Sequence, residues 1–271
     1  MKRTIMILLM VLSVILTACD TDNASDNSDD ETENALDPIA LLTESADNIR
    51  AAETFRLDVQ QEGADYNVLI DLNGETTAVA FRRAQAQYVS PDEVQGTVRV
   101  LAGIVPIDVD IYSSGVRQWV RFVGTDWISE DFAPGFNAAT LIEEDTGFEA
   151  ALSALADLDY SGEESLEDGT PVYHIAGTAE GEAVTSLLVG MIETEGLVPV
   201  DVYLHREERY PVRIVIHQVD NATEENPEGT IWTIDVFDVD DAPELTPPQG
   251  ADVDVETTAE ATAEATAEVN D

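Results

Sequence analysis

Apolar and polar residues alternate with a period of two through most of this chain, and each alternating run joins the next through only a few residues. Ile107, Val109 and Ile111 interleave with Asp108 and Asp110, which puts an oily row on one face of a strand and carboxylates on the other. The pattern recurs at Phe55, Leu57 and Val59, from Tyr66 to Leu72, from Val94 to Leu101, from Val116 to Phe122, and weakly at Ala78 and Ala80. Beyond residue 159 it returns at Tyr160 to Leu166, Val172 to Thr178, Val198 to His205, Val212 to Val219 and Ile231 to Val239. Turns such as Gly124-Thr125-Asp126 and Glu167-Asp168-Gly169 are too short for the crossover that parallel neighbours require, so the strands pair antiparallel.

Three stretches switch to helical spacing. Asp37-Pro38 reads as an N-cap acid followed by proline at the first helical position, and Leu42, Ala46 and Ile49 continue it to about Glu53. Leu141 and Ile142, then Phe148, Leu152 and Leu155, predict a second helical stretch to about Leu158. Leu187, Leu188 and Met191 predict a third over Glu182 to Glu193. The fold class is therefore α+β: a large antiparallel sheet of about ten or more strands with about three short helices on one side.

A sheet this wide curls, and a curled sheet with one apolar face encloses volume. The helices that cover the concave side carry many small residues, among them Ala46, Ala151, Ala154 and Gly190, so the spacing is compatible with an underfilled hollow. It is equally compatible with strands packed tightly over the helices. An apolar hollow suits hydrocarbon chains, because burial of each methylene contributes about 0.8 kcal/mol without a polar partner. The candidate lining is Val68, Ile70, Leu72, Ile107, Val109, Ile111, Val200, Val202, Leu204, Ile214 and Ile216.

The first residues carry a different signal. Lys2 and Arg3 precede an apolar run from Ile5 to Leu16, the pattern of a secretory signal and too short to span about 30 Å of hydrocarbon. Leu16-Thr17-Ala18-Cys19 then looks like a bacterial lipobox, in which Cys19 takes a diacylglycerol and becomes the first mature residue. Cys19 is the single cysteine, so no internal disulfide forms and the core holds by packing. Two acyl chains on it would anchor the protein stably, where one binds reversibly. The alternative is an ordinary secretory signal with an incidental Cys19.

The formal net charge is −44, and no lysine follows Lys2. This excludes a Walker lysine, a Schiff base and a lysine general base, and it makes nucleic acid an unsuitable partner. An acidic, lysine-free surface also fits adaptation to high salt. Residues 19–36 hold Asp20, Asp22, Asp26, Asp29, Asp30, Glu31 and Glu33 with no cation, a tether that cannot order itself by burial. Residues 242–271 hold Pro243, Pro247 and Pro248 and then Thr-Ala-Glu repeats from Thr258 to Glu268, a low-complexity tail. Between the two, residues 37–241 form one domain.

No catalytic residue, metal or cofactor is expected. His174, His205 and His217 each sit alone in a strand without His-x-His spacing, and Asp235, Asp238, Asp240 and Asp241 lack the glycine and closing glutamate of a calcium loop. Neither a Gly-x-Ser-x-Gly elbow nor a phosphate loop is present. Trp119, Trp127 and Trp232 suit either a cavity mouth or the core.

In this order of elements the chain resembles the LppX/LprA/LprF/LprG family of lipid-carrying lipoproteins. The likeness rests on the lipobox, the opening helix into Phe55, Tyr88-Val89-Ser90-Pro91-Asp92, Trp119, the segment Phe132 to Leu141, Tyr173-His174-Ile175-Ala176-Gly177, Val200-Asp201-Val202-Tyr203-Leu204 and Pro211-Val212-Arg213-Ile214. It covers about residues 37 to 240. The acidic tether, the Thr-Ala-Glu tail and the missing lysines depart from the family. The resemblance implies a half-barrel akin to the LolA/LolB carriers, wrapped over helices, with a cavity for acyl chains such as palmitate. It further implies a non-enzymatic lipoprotein on the extracytoplasmic face of the cell membrane, carrying lipid or lipoglycan, with room for an envelope transporter as partner. The alternative is an envelope lipoprotein of structural or interaction type with a filled core.

Overall fold

A computed structural model describes residues 36–72, 75–130, 136–185 and 194–249, with backbone alone at 69–72 and 75–76. Cys19, the acidic tether, the Thr-Ala-Glu repeats, Phe132 to Gly135 and residues 186–193 of the third expected helix lie outside the described residues, as do the side chains of Ile70 and Leu72.

The chain opens with α1 (Pro38–Ala51), whose N-cap Asp37 accepts a hydrogen bond from the Ile39 amide at 3.0 Å. Six strands follow as a meander: β1 (Thr54–Gly63), β2 (Asn67–Leu72), β3 (Glu75–Val89), β4 (Glu93–Ala102), β5 (Val105–Ser114) and β6 (Arg117–Phe122), with the two-residue β7 (Ile128–Ser129) at the edge. A 3₁₀ turn (Ala138–Leu141) and α2 (Gly147–Ser153) lead into β8 (Ala156–Ser165) and β9 (Pro171–Glu180). Then come α3 (Gly181–Thr185), β10 (Leu197–His205), β11 (Pro211–Gln218) and β12 (Thr230–Phe237).

All pairings are antiparallel, and the sheet order is β7-β6-β5-β4-β3-β1-β12-β11-β10-β9-β8, with β2 beside the first half of β3. Two meanders thus meet where β1 pairs with β12. The result is an open, curved half-barrel of 12 strands with helices on its concave side. On that side α1 packs against α2, β8 and β11, and α2 packs against α3.

Two local expectations change. The second helical stretch stops at Ser153 instead of about Leu158, and β8 begins at Ala156. Residues 156–160 alternate as a strand does, and bulges beside Asp157, whose φ is 51°, fit this edge strand to β9. The run at Ala78 and Ala80 belongs to the longest strand, β3. Its apolar positions Ala84 and Ala86 are small and favour strands weakly, but β1 and β4 on either side hold it extended.

The described chain also continues past residue 241. The Gln87 side chain donates to the Pro243 carbonyl, the Thr246 amide donates to Gln95 Oε1 at 3.0 Å, and Leu245, like Trp127, packs against Tyr112 and Trp119. Residues 242–249 thereby form a strap across the convex face.

Candidate functional site

One row of directly opposed residues crosses ten strands on the concave face: Phe122, Val109, Val98, Ala84, Val59, Ile234, Ile214, Val202, Ile175 and Tyr160. Every member is apolar or aromatic, because opposed residues in antiparallel strands share a face. The row divides in its middle. Ile234, Ile214, Val202 and Ile175 are fully buried in one core with Leu41, Ile49, Phe148 and Leu152 of the helices. Phe122, Val109, Val98, Ala84 and Val59 are only half-buried.

A second row, Val120, Ile111, Gly96, Ala86, Leu57 and Val236, runs opposed from β6 to β12, with Val120, Leu57 and Val236 buried and Ile111, Gly96 and Ala86 half-buried between them. At its centre Gly96 and Ala86 keep the wall thin. A Cβ on Gly96 would lie 2.5 Å from the Gln85 carbonyl oxygen and 2.9 Å from the Ala86 Cβ, so the close approach of β3 and β4 requires glycine there.

The convex face one residue along is polar throughout: Arg121, Asp110, Thr97, Gln85, Asp58, Asp235, Arg213, Tyr203 and His174. Arg213 Nε meets Asp235 at 2.6 Å and Arg121 meets Asp110 at 2.8 Å, while Arg83 grips Asp58 with both Nε and Nη2. Hydrogen bonding to Asp58 raises the Arg83 pKa, and hydrogen bonding to Asp235 raises that of Arg213. Two clefts of about 440 and 430 Å³ open on this side, the first lined by Thr97, Asp110 and Arg121 among others and the second by Asp58, Asp235 and Arg213 together with Val212 and Phe237.

Three histidines that stand apart in sequence are partly gathered by the register. His174 Nε2 and His217 Nε2 meet the two oxygens of Asp201 at 2.8 and 3.0 Å, and His174 Nδ1 meets Glu164 at 2.9 Å. Burial opposes charge on His174, but its hydrogen bonds to Asp201 and Glu164 outweigh it and raise its pKa. His205 instead stacks on Tyr210. Among the described residues no group of three or more His, Cys, Asp or Glu is arranged to hold a metal. Of the four aspartates weighed for calcium, Asp235 pairs with Arg213, Asp238 with Arg56, and Asp240 accepts the Glu53 amide at 2.7 Å.

The chain is thus an open antiparallel half-barrel with helices on its concave side. The family model for the LppX_LprAFG lipoproteins matches residues 37–242. This chain belongs to that family. LppX_LprAFG relatives share its fold at low identity: LprF from Mycobacterium bovis aligns over 78% of this chain and 96% of its own, at 12% identity and a TM-score of 0.56. Lipoprotein LppX from Mycobacterium tuberculosis aligns over 77% and 98%, at 16% identity and a TM-score of 0.53. A search of curated proteins found no match.

Within this LppX_LprAFG fold the candidate lining residues fall into two groups. Val200, Val202, Leu204, Ile214 and Ile216 lie in the sealed core under the helices. Ile107, Val109 and Ile111 lie half-buried on β5, on the same face, five strand spacings from β11 and six from β10, about 24 to 29 Å along the sheet. Val68 is half-buried and opposes Val79 on β3. The tryptophans separate as well. Trp232 is in the core, donating from Nε1 to Gln218 Oε1 at 3.0 Å, whereas Trp119 and Trp127 stand on the convex side with Tyr112 and the strap. The alternation around Trp119 could have revealed its face, since it shares parity with Arg117 and Arg121; the strap has no comparable signal.

Proposed function

We propose that this chain is a non-enzymatic, lipid-anchored carrier of the cell envelope that holds acyl chains of a lipid or lipoglycan against the less covered half of its concave sheet. The observation that carries the reading is the ten-strand apolar row. From β9 to β12 its members Ile175, Val202, Ile214 and Ile234 are buried in the core with the helices, while Phe122, Val109, Val98, Ala84 and Val59 keep partly exposed surface. A soluble fold gains by covering such a surface, and hydrocarbon covers it without needing hydrogen bonds. Membership of a lipoprotein family supports the same reading.

Ile107, Val109 and Ile111 line the open half, with Val68 on the β2–β3 hairpin. Val200, Val202, Leu204, Ile214 and Ile216 form the packed floor under the helices. Cys19 carries the diacylglycerol and places the domain on the extracytoplasmic face of the cell membrane. Transfer to or from an envelope transporter is compatible with this arrangement.

Native mass spectrometry of the chain purified from its own membrane tests the carrier. Release of a lipid mass with acyl chains, in addition to the anchor on Cys19, is the expected result. A chain that carries only its anchor would favour the other reading, an envelope interaction module with a filled interior.

A further inference from the structure

The β4–β5 hairpin ends in an apolar tip that nothing above uses. Residues 100–107, Val-Leu-Ala-Gly-Ile-Val-Pro-Ile, contain no polar side chain in a chain of net charge −44. Ile104 at the turn is 94% exposed, and Val105 beside it is exposed too. The neighbouring turn after β6 presents Val123, 86% exposed. Both turns lie at the same end of the half-barrel, because β4 ends, β5 begins and β6 ends there. Val109 pairs with Phe122 at the last residue of β6, so residues 105–108 overhang that strand by about 13 Å.

The nearest charges are not free to repel or attract. Arg99 and Asp108 pair with each other at 2.7 and 2.9 Å on the convex side, and Arg121 pairs with Asp110. Asp126 stands at the foot of the second turn. Farther along the same rim Leu197 and Val219 are also exposed, but Glu195 and Asp220 adjoin them, so among the described side chains of this rim the uninterrupted apolar surface is the corner made by Ile104, Val105 and Val123. On the inner side of the hairpin Val100 opposes Ile107 and Val98 opposes Val109. The tip is thus continuous with the half-covered concave row.

We propose that this corner dips into the interfacial region of a lipid bilayer and is the point where an acyl chain passes between membrane and concave face. The inference rests on the carrier reading and on the anchor at Cys19. From Cys19 to Leu36 the chain can extend by at most about 60 Å, which keeps the corner within reach of the bilayer that holds the anchor. A bilayer suits the corner better than a protein partner does. The side chains ask for no shape or hydrogen-bond complement, and the open backbone groups of the turn stay hydrated at interfacial depth. With no cation at the corner, insertion is driven by apolar burial, so anionic lipid is not required and salt does not weaken it.

The test uses the full-length, lipid-processed chain in phosphatidylcholine vesicles. Ile104→Cys, Val123→Cys and Val116→Cys each supply one free thiol for an environment-sensitive fluorophore, the Cys19 sulfur being held in its thioether to diacylglycerol. Val116 is a matched control, 77% exposed but at the opposite end of the sheet. The expected result is a blue shift at 104 and 123, quenched by lipids that carry nitroxides at shallow acyl positions and unchanged by salt, with the probe at 116 still in water. Aqueous emission at 104 and 123 overturns the proposal. So does a blue shift that lipid nitroxides fail to quench, which would mark a protein contact, or equal quenching at all three sites. Native mass spectrometry of the same samples keeps the two readings apart. Water-exposed tips on lipid-loaded protein reject the corner alone, and a missing cargo rejects the carrier.

Discussion

Val109 on β5 and Val202 on β10 stand in one unbroken row of cross-strand partners, yet Val202 is fully buried beneath the helices and Val109 is half-buried. The same substitution should therefore have opposite consequences at the two positions. Val202→Asp puts an unpaired carboxylate in a sealed core, a cost of at least about 4 kcal/mol, and should yield no stable fold. Val109→Asp can keep its carboxylate hydrated, so it should cost only about 1 kcal/mol and leave a folded protein with no lipid cargo. Circular dichroism and native mass spectrometry on both variants check this. A folded Val109→Asp protein with full cargo would remove β5 from the lining.

That pair also shows what the sequence could and could not disclose. Val200-Asp201-Val202 and Val109-Asp110-Ile111 have the same alternation, and alternation fixes which face a side chain occupies, so nearly all strands and both faces were legible. What covers a face depends on where α1 and α2 pack, and no local pattern records that. The helix at Pro38 was legible because its cap is local chemistry. The meeting of His174 and His217 at Asp201 was not, because it depends on the register of three strands. The strap was hidden for a related reason: Leu245 is one apolar residue among prolines, and only the aromatic cluster of Tyr112 and Trp119 gives it a place.

Asp58 and Asp235 face each other across β1 and β12, and each is held by an arginine from the strand on its far side. The two carboxylates tolerate this contact because Arg83 and Arg213 supply opposite charge. Arg213→Met should leave Asp235 against Asp58, which is only 7% exposed, and cost about 2 kcal/mol, less than a fully buried broken pair because the site is partly hydrated. Adding Asp235→Asn should recover part of the loss. A double-mutant cycle from urea unfolding measures it, and additive losses would mean that the pair does not interact energetically.

The close approach of β3 and β4 depends on Gly96. Gly96→Val would force its side chain into the Gln85 carbonyl oxygen and the Ala86 Cβ, and backbone atoms cannot rotate away as a long side chain could. The expected cost is about 3 kcal/mol, at the high end for overpacking, with faster amide exchange along β3 and β4 than along β10 and β11. Uniform exchange across the sheet would place the strain elsewhere. Thr97→Val, on the convex side of the same strand, should perturb β3–β4 exchange far less.

His174 makes stability depend on pH near neutrality. To bond Asp201 and Glu164 together, both ring nitrogens must donate, which only the imidazolium does. Its folded pKa is raised above the ordinary value of about 6.5, so protonation favours the native state. The contribution is complete below the unfolded value and is lost as pH rises through the folded one. The melting temperature should accordingly fall as pH climbs above about 6.5. His174→Gln should flatten that slope, since its amide can still donate to one carboxylate but carries no titrating charge. Tyr88 does not contribute in this window: burial pushes its phenol up to about 12, and its hydroxyl donates to the Pro91 carbonyl at 2.7 Å. A wild-type melting temperature that holds steady while the variant's falls would reverse the sign and reject the imidazolium at Asp201.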